Sequence, residues 1–353
     1  MLELLRERLN ALATHRRAAG LQYAVYRGGQ PWLQICHGYA DVAEARLVSP
    51  ATCFNTYSIT KPFTALAILV LAFRGRLLLD QPIGEAAGLE GLESYGTIRQ
   101  TLVHRAGFRN PNPLRWIHEA DTEAPFGDSE FLSRQILALQ GTRRRWASSG
   151  YSNLGYLLLG VVVSRVTGLA FVKAVEELVL RPMHCAGTER LGFALDPECY
   201  ARGHVWRKGL LAKALPWLID HRWAVEAVAG PWLCIRRHAV DGASYGGLGA
   251  NAAGLGRFGQ SLLGLVPGLP AEVCRTALKP VGGGRPERSL ALFRGTCLGH
   301  EWFGHAGGGL GGYGELRIYP HLSLTSVLLT NGPGLRDARC LDQIDELWMN
   351  ALR

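Results

Sequence analysis

Ser58, Ile59, Thr60 and Lys61 form the stretch of this sequence in which chemistry is easiest to read. Residues three apart share a helix face, so the Lys61 amine can reach the Ser58 hydroxyl. A serine at a helix start also stands beside free backbone N–H groups and the positive end of the helix dipole. That setting suits a nucleophile whose product is an oxyanion. The plain alternative is an N-cap serine with a solvated lysine, because S-x-x-K alone is common. Tyr151, Ser152 and Asn153 form a second group. Their phenol can relay a proton, and the carboxamide two residues on can hold a substrate carbonyl or the lysine. Taken alone, the same segment reads as a turn and N-cap for a helix at Leu154. His305, Ala306, Gly307 and Gly308 close an expected strand. Glycines let backbone approach a ligand, and their N–H groups can serve an oxyanion hole. A strand running into a glycine-rich turn would have the same sequence.

Other matches are weaker. Gly242-Ala243-Ser244-Tyr245-Gly246 fits the G-x-S-x-G elbow of α/β-hydrolases, but glycines follow where that elbow needs a helix, so Ser244 is set aside. Gly309 to Gly314 fits G-x-G-x-x-G, yet a strand follows, which argues against a dinucleotide. His300, Glu301 and His305 have the wrong spacing for a zinc site on a helix or a strand. No metal or cofactor is expected. Trp206, Trp217, Trp223 and Trp232 read as core, with an apolar acyl-binding wall as the functional alternative.

The elements that must position these groups follow from periodicity. Leu5, Leu9 and Leu12 mark an amphipathic first helix. Leu21–Tyr26 and Trp32–Cys36 flank a Gly-Gly turn and read as a hairpin. Helical periods run from Ser58 to about Arg74, Ser152 to Val166, Ala170 to Leu180, and beyond Gly246 to about Leu263. Strands are expected at Leu290–Thr296, Glu301–His305, Gly314–Tyr319 and Leu324–Leu329, then a closing helix from about Asp337. The reading is an α/β (α+β) fold whose antiparallel sheet is built by both ends of the chain and flanked by helices. One domain over residues 1–353 is expected, its sheet part at about 1–75 and 240–353. A large, mostly helical part at about 76–239 is inserted into it.

Composition narrows the class. With 353 residues, 48% hydrophobic and 19% charged, the chain can bury a sizeable core and is not disordered. The net charge of +9 comes from scattered arginines, so mild attraction for anionic small molecules is expected rather than nucleic-acid binding. The mixed charges of Met1–Arg8 do not make a secretory signal, and the apolar run Ala65–Phe73 is too short to span a bilayer. Eight cysteines lie far apart with no C-x-x-C pair. Reduced thiols and a cytoplasmic location are expected. Oligomeric state is not legible.

The order of the three motifs is more specific than any one of them. Ser58-Ile59-Thr60-Lys61, then Tyr151-Ser152-Asn153 about 90 residues later, then His305-Ala306-Gly307 on a late strand resembles the serine β-lactamase and penicillin-binding-protein superfamily. The likeness is to its class C β-lactamase branch, with the family VIII esterases. Leu102-Val103-His104-Arg105-Ala106-Gly107 resembles that branch too. The resemblance implies that Ser58 is acylated, that Lys61 and Tyr151 manage its proton, and that Asn153 positions the substrate. It also implies an oxyanion hole made by the N–H groups of Ser58 and Gly308. Histidine replaces the lysine of K-T-G at His305, which shifts weight from β-lactams toward esters. The expectation is a serine hydrolase acting on a small-molecule ester, amide or peptide. D-amino-acid peptidase, β-lactamase, acyltransferase and a non-catalytic ligand-binding or filament-forming relative are the alternatives.

Overall fold

Alternating side chains along the central strands decide which helices cover which face of the sheet. The computed structural model describes residues 2–16, 18–108, 116–120, 150–219, 221–282, 287–333 and 340–351. The first helix, α1 (Leu2–Arg16), precedes strands β1 (Gly20–Arg27), β2 (Gln30–Asp41) and β3 (Arg46–Leu47). The later strands are β4 (Phe293–Cys297), β5 (His300–Gly309), β6 (Gly312–Tyr319) and β7 (Leu324–Thr330). They form one antiparallel sheet in the order β4-β5-β6-β7-β1-β2-β3. Its two halves join where Leu21 pairs with Thr330 and Arg27 with Leu324. The large sheet therefore has the composite origin and antiparallel sense expected.

On β1, Tyr23 and Val25 pack with Leu5, Leu9, Ile344 and Trp348, whereas Ala24 and Tyr26 face the larger core. The period of two thus gives one strand two buried faces. Helix α1 and the closing helix lie on one side. On the other lie α2 (Thr60–Phe73), α3 (Asn153–Thr167), the single turn α4 (Ala243–Gly246) and α5 (Ala252–Leu262). The closing helix, α6 (Cys340–Ala351), begins above Glu315. The buried carboxylate accepts the N–H groups of Cys340 at 2.9 Å and Leu341 at 2.7 Å, which satisfies two donors at a helix start. The expected start near Asp337 lies outside the described residues.

Among its described residues the middle of the chain carries strands that the sequence reading did not place. Gly203–Trp206, Val225–Ala229 and Trp232–Ile235 form a three-stranded antiparallel sheet, and Ile117–Glu119 pairs with His238–Val240. Val225–Ala229 alternates half-buried and exposed positions, the pattern of a half-covered strand. The Gly230-Pro231 turn that follows it is the signal a helical reading passes over. Among the described residues no single helix is long and apolar enough to cross a membrane.

Candidate active site

Ser58 is presented by a 3₁₀ turn, Tyr57–Ile59, that runs directly into α2. The turn is sharp enough to force Tyr57 to a φ of 46°, a left-handed conformation unusual for a non-glycine residue. Surrounding contacts hold it there. The Tyr57 hydroxyl donates to the Leu310 carbonyl at 2.9 Å and lies 3.3 Å from His238 Nε2. Thr56 Oγ1 donates to the Leu248 carbonyl at 2.8 Å, and the Leu248 N–H donates to Thr60 Oγ1 at 3.1 Å. The nucleophile candidate therefore sits on a rigid shoulder, half-buried.

One helical turn on, Lys61 is completely buried. Its Nζ lies 3.0 Å from Ser58 Oγ and 3.0 Å from the carbonyl oxygen of Tyr245. The ring centroids of Tyr151, Tyr245 and Tyr156 stand 4.8, 5.3 and 5.6 Å from the amine. Phenol faces favour an ammonium, but loss of hydration is the larger effect and holds the amine well below the usual lysine range. The shift favours the neutral amine, which can accept a proton from the serine hydroxyl beside it.

Tyr151 joins them. It keeps 37% of its surface exposed while its hydroxyl is hydrogen-bonded to Ser58. Loss of hydration raises the phenol pKa, and the Ser58 contact is the main opposing influence. Ser152, between Tyr151 and Asn153, is the N-cap of α3 and accepts the Gly155 N–H at 3.0 Å. The cap role expected of the segment and its place at the site are thus both real, on different residues. Asn153 is the first residue of α3 and is buried.

The third group arrives on β5. Strand β4 ends with Phe293 opposite Gly304, so His305–Gly309 run on past it, paired on their other edge with β6. Gly307 lies against the Ser58 turn: a Cβ there would fall 2.0 Å from the Thr56 carbonyl oxygen and 2.9 Å from the Ser58 nitrogen. Only glycine permits that approach. Gly308 follows and is exposed. His305 is buried, with Nδ1 2.6 Å from the Ala306 carbonyl, so Nδ1–H donates and Nε2 is the free acceptor. Loss of hydration first, and Lys61 second, push its pKa down to about 3. Its ring centroid lies 6.2 Å from that of Tyr151.

Three groups at the site were given no role from sequence. His104 is buried in a left-handed conformation (φ 57°) and accepts the Ser152 N–H on Nδ1 at 3.2 Å. Its ring is 4.5 Å from that of Tyr151, and lost hydration holds it neutral. Arg288 is buried nearby and donates to the Val103 carbonyl at 2.8 Å. Tyr245 supplies the carbonyl behind Lys61 from within the elbow-like segment. Ser244 beside it points elsewhere. It is 4% exposed, and a Cβ on Gly160 of α3 would come within 2.6 Å of its side chain. The helical turn that sequence ruled out does form as α4, so burial against α3 is what disqualifies Ser244. Of the four tryptophans, Trp206 and Trp232 meet edge to face at 5.2 Å and Trp217 is 84% exposed. A cavity of about 210 Å³ opens beside Tyr57, Arg202, Arg236 and His238, and none of the four lines it.

The model of the β-lactamase family matches residues 5–347. The chain belongs to the β-lactamase family. A curated member, the esterase EstB of Burkholderia gladioli, is 31% identical over 204 residues, which is 53% of this chain and 50% of the esterase. The chain spans half or less of the length of the first curated relatives it matches. Among solved structures, a class C β-lactamase from Rhodobacter sphaeroides superposes with a TM-score of 0.76 at 18% identity, over 99% of both chains. The D-amino acid amidase of Ochrobactrum anthropi SV3 gives 0.77 at 17% identity, over 99% of this chain and 100% of the amidase. At those identities the likeness is one of fold.

Proposed function

We propose that this family member is a serine hydrolase that cleaves carboxylic esters through an acyl-enzyme on Ser58. One observation carries the reading: a buried amine, Lys61, its pKa held well below the usual lysine range, stands 3.0 Å from Ser58 Oγ beneath the Tyr151 ring. In the first step Ser58 Oγ bonds to the substrate carbonyl carbon while its proton passes to Lys61 Nζ. The oxyanion that forms lies against the N–H groups of Ser58 and Gly308, the strand and turn that Gly307 brings together. The leaving alkoxide takes a proton through Tyr151, which is reprotonated from Lys61. Water then attacks the Ser58 ester with the same groups in reverse order. Asn153 is assigned to substrate positioning.

Esters are favoured over β-lactams because His305, neutral across the physiological range, offers no charge to a substrate carboxylate. The esterase relative points the same way. The test is labelling with a fluorophosphonate, followed by peptide mapping and turnover of short p-nitrophenyl esters. A single adduct on Ser58 with ester turnover is expected; an adduct on another residue overturns the proposal.

A further inference from the structure

We propose that Arg288 is a charge-setting and positioning residue for Tyr151, a fixed cation that steadies the negative charge the phenol acquires while it relays its proton. The inference rests on the serine-hydrolase reading above and extends it to a residue outside all three motifs.

The geometry is specific. Arg288 is buried, and its Nη1 is tied to the Val103 carbonyl, one residue before the left-handed His104. Its guanidinium carbon lies 5.0 Å from the centroid of Phe293. Phe293 in turn stacks toward Tyr151 at 6.3 Å with an angle of 21°, and its ring lies tilted at 54° to that of His305 at 5.0 Å. One aromatic ring thus neighbours both a permanent cation and the proton relay. Arginine keeps its charge where a buried lysine loses it, so the field does not vary with pH.

The groups facing Tyr151 make that cation matter. They are Ser58, Lys61, His104, Tyr156 and His305, and Arg288 itself faces Arg105 as well. Loss of hydration draws Lys61 toward its neutral form and keeps both histidines uncharged. Arg288 lowers the pKa of Tyr151, His104 and His305 alike. Where the family's K-T-G lysine would stand, the uncharged His305 contributes no field. A phenol that gives up its proton in a dry cleft needs a positive neighbour that is itself unable to give one up.

The sign follows directly. A cation lowers the pKa of a phenol and of an imidazole, so its removal raises both, and the pH–rate profile moves to higher pH. R288Q is expected to shift the profile of kcat for a p-nitrophenyl ester upward by at least about 0.5 unit. It should also lower kcat about tenfold with KM within about twofold, the mark of an interaction made in the transition state. R288K is expected to shift the profile upward too, by no more than R288Q, because burial draws a lysine toward its neutral form. Fluorophosphonate mapping on each variant is read first. An adduct away from Ser58 would overturn the site reading itself. An adduct on Ser58 with an unmoved R288Q profile would overturn only the role of Arg288. If R288Q does not fold, R288M is read in its place: an upward shift with a lower kcat supports the proposal, and an unmoved profile overturns it.

Discussion

The carbonyl oxygen of Tyr245 holds Lys61 from behind at 3.0 Å, the same distance that separates the amine from Ser58 Oγ. Lysine is thereby fixed between a backbone acceptor and the hydroxyl proposed as the nucleophile. Side-chain freedom that a four-carbon stem would otherwise keep is removed before substrate arrives.

Burying a lysine away from water carries a stability cost. The folded-state pKa of Lys61 lies below its unfolded value, so the unfolded chain binds more protons between the two and stability rises with pH through that window. Lys61→Met should abolish ester turnover while raising Tm by about 2–5 °C near neutral pH. Calorimetry on the wild type and the variant checks both the sign and its decline toward alkaline pH.

For Ser58, intact-mass analysis after exposure to an activated ester should show one added acyl group. Ser58→Ala should show none, with Tm little changed. An adduct that persists in the alanine variant excludes Ser58 as nucleophile.

Tyr151→Phe removes one oxygen from a partly exposed ring and should fold normally. A loss of roughly 10²-fold in kcat is expected, with a smaller effect on KM. A rate near that of the wild type would assign the proton to Lys61 alone.

Ser244→Ala should stay within a few-fold of wild-type activity, because its side chain faces Gly160 rather than the cleft. Gly160→Ala is the sharper test of that packing. Alanine gains about 1 kcal/mol of helix propensity, but its Cβ falls 2.6 Å from the Ser244 side chain, and overpacking typically costs about 1–3 kcal/mol. Net destabilisation is expected in urea unfolding, relieved in the Gly160→Ala, Ser244→Gly double variant.

Replacing the neutral imidazole of His305 with lysine restores a cation beside the cleft. His305→Lys should narrow the gap between p-nitrophenyl esters and penicillins by up to about 10²-fold in kcat/KM, mainly through KM. An unchanged ratio would show that substrate charge is read elsewhere.

Ser58, Lys61 and Tyr151 were legible because each is a side chain whose role depends on its type, and motif order carried the rest. Sheet strands were legible from their period of two, with ends displaced by a few residues where buried apolar positions continue into a turn, as at Leu290–Leu292. Tyr245 acts through a carbonyl group that every residue possesses, so no residue type announces it. Arg288 is close only because the bend before β4 folds back on Val103, a contact of 185 positions' separation. His104 stood inside a recognised segment, but its left-handed backbone could not be inferred from a histidine code letter. The small sheet at 203–235 escaped because short, half-exposed strands leave few apolar positions to count.

Strand β1 finds its partner β7 only about 300 residues later, which gives the protein a timetable during its own synthesis. At about 5–20 residues per second, β1 and its hairpin mate emerge roughly 15–60 s before Leu324–Thr330 exist to pair with them. Ser58 and Lys61 emerge early too, yet the strand bearing Gly307 and Gly308 is among the last to be made. Until then Gly307 cannot close against the turn that carries Ser58. A ribosome-bound fragment ending before β5 should therefore be silent toward esters and dependent on holding chaperones, with catalysis switched on by the arrival of the last strands.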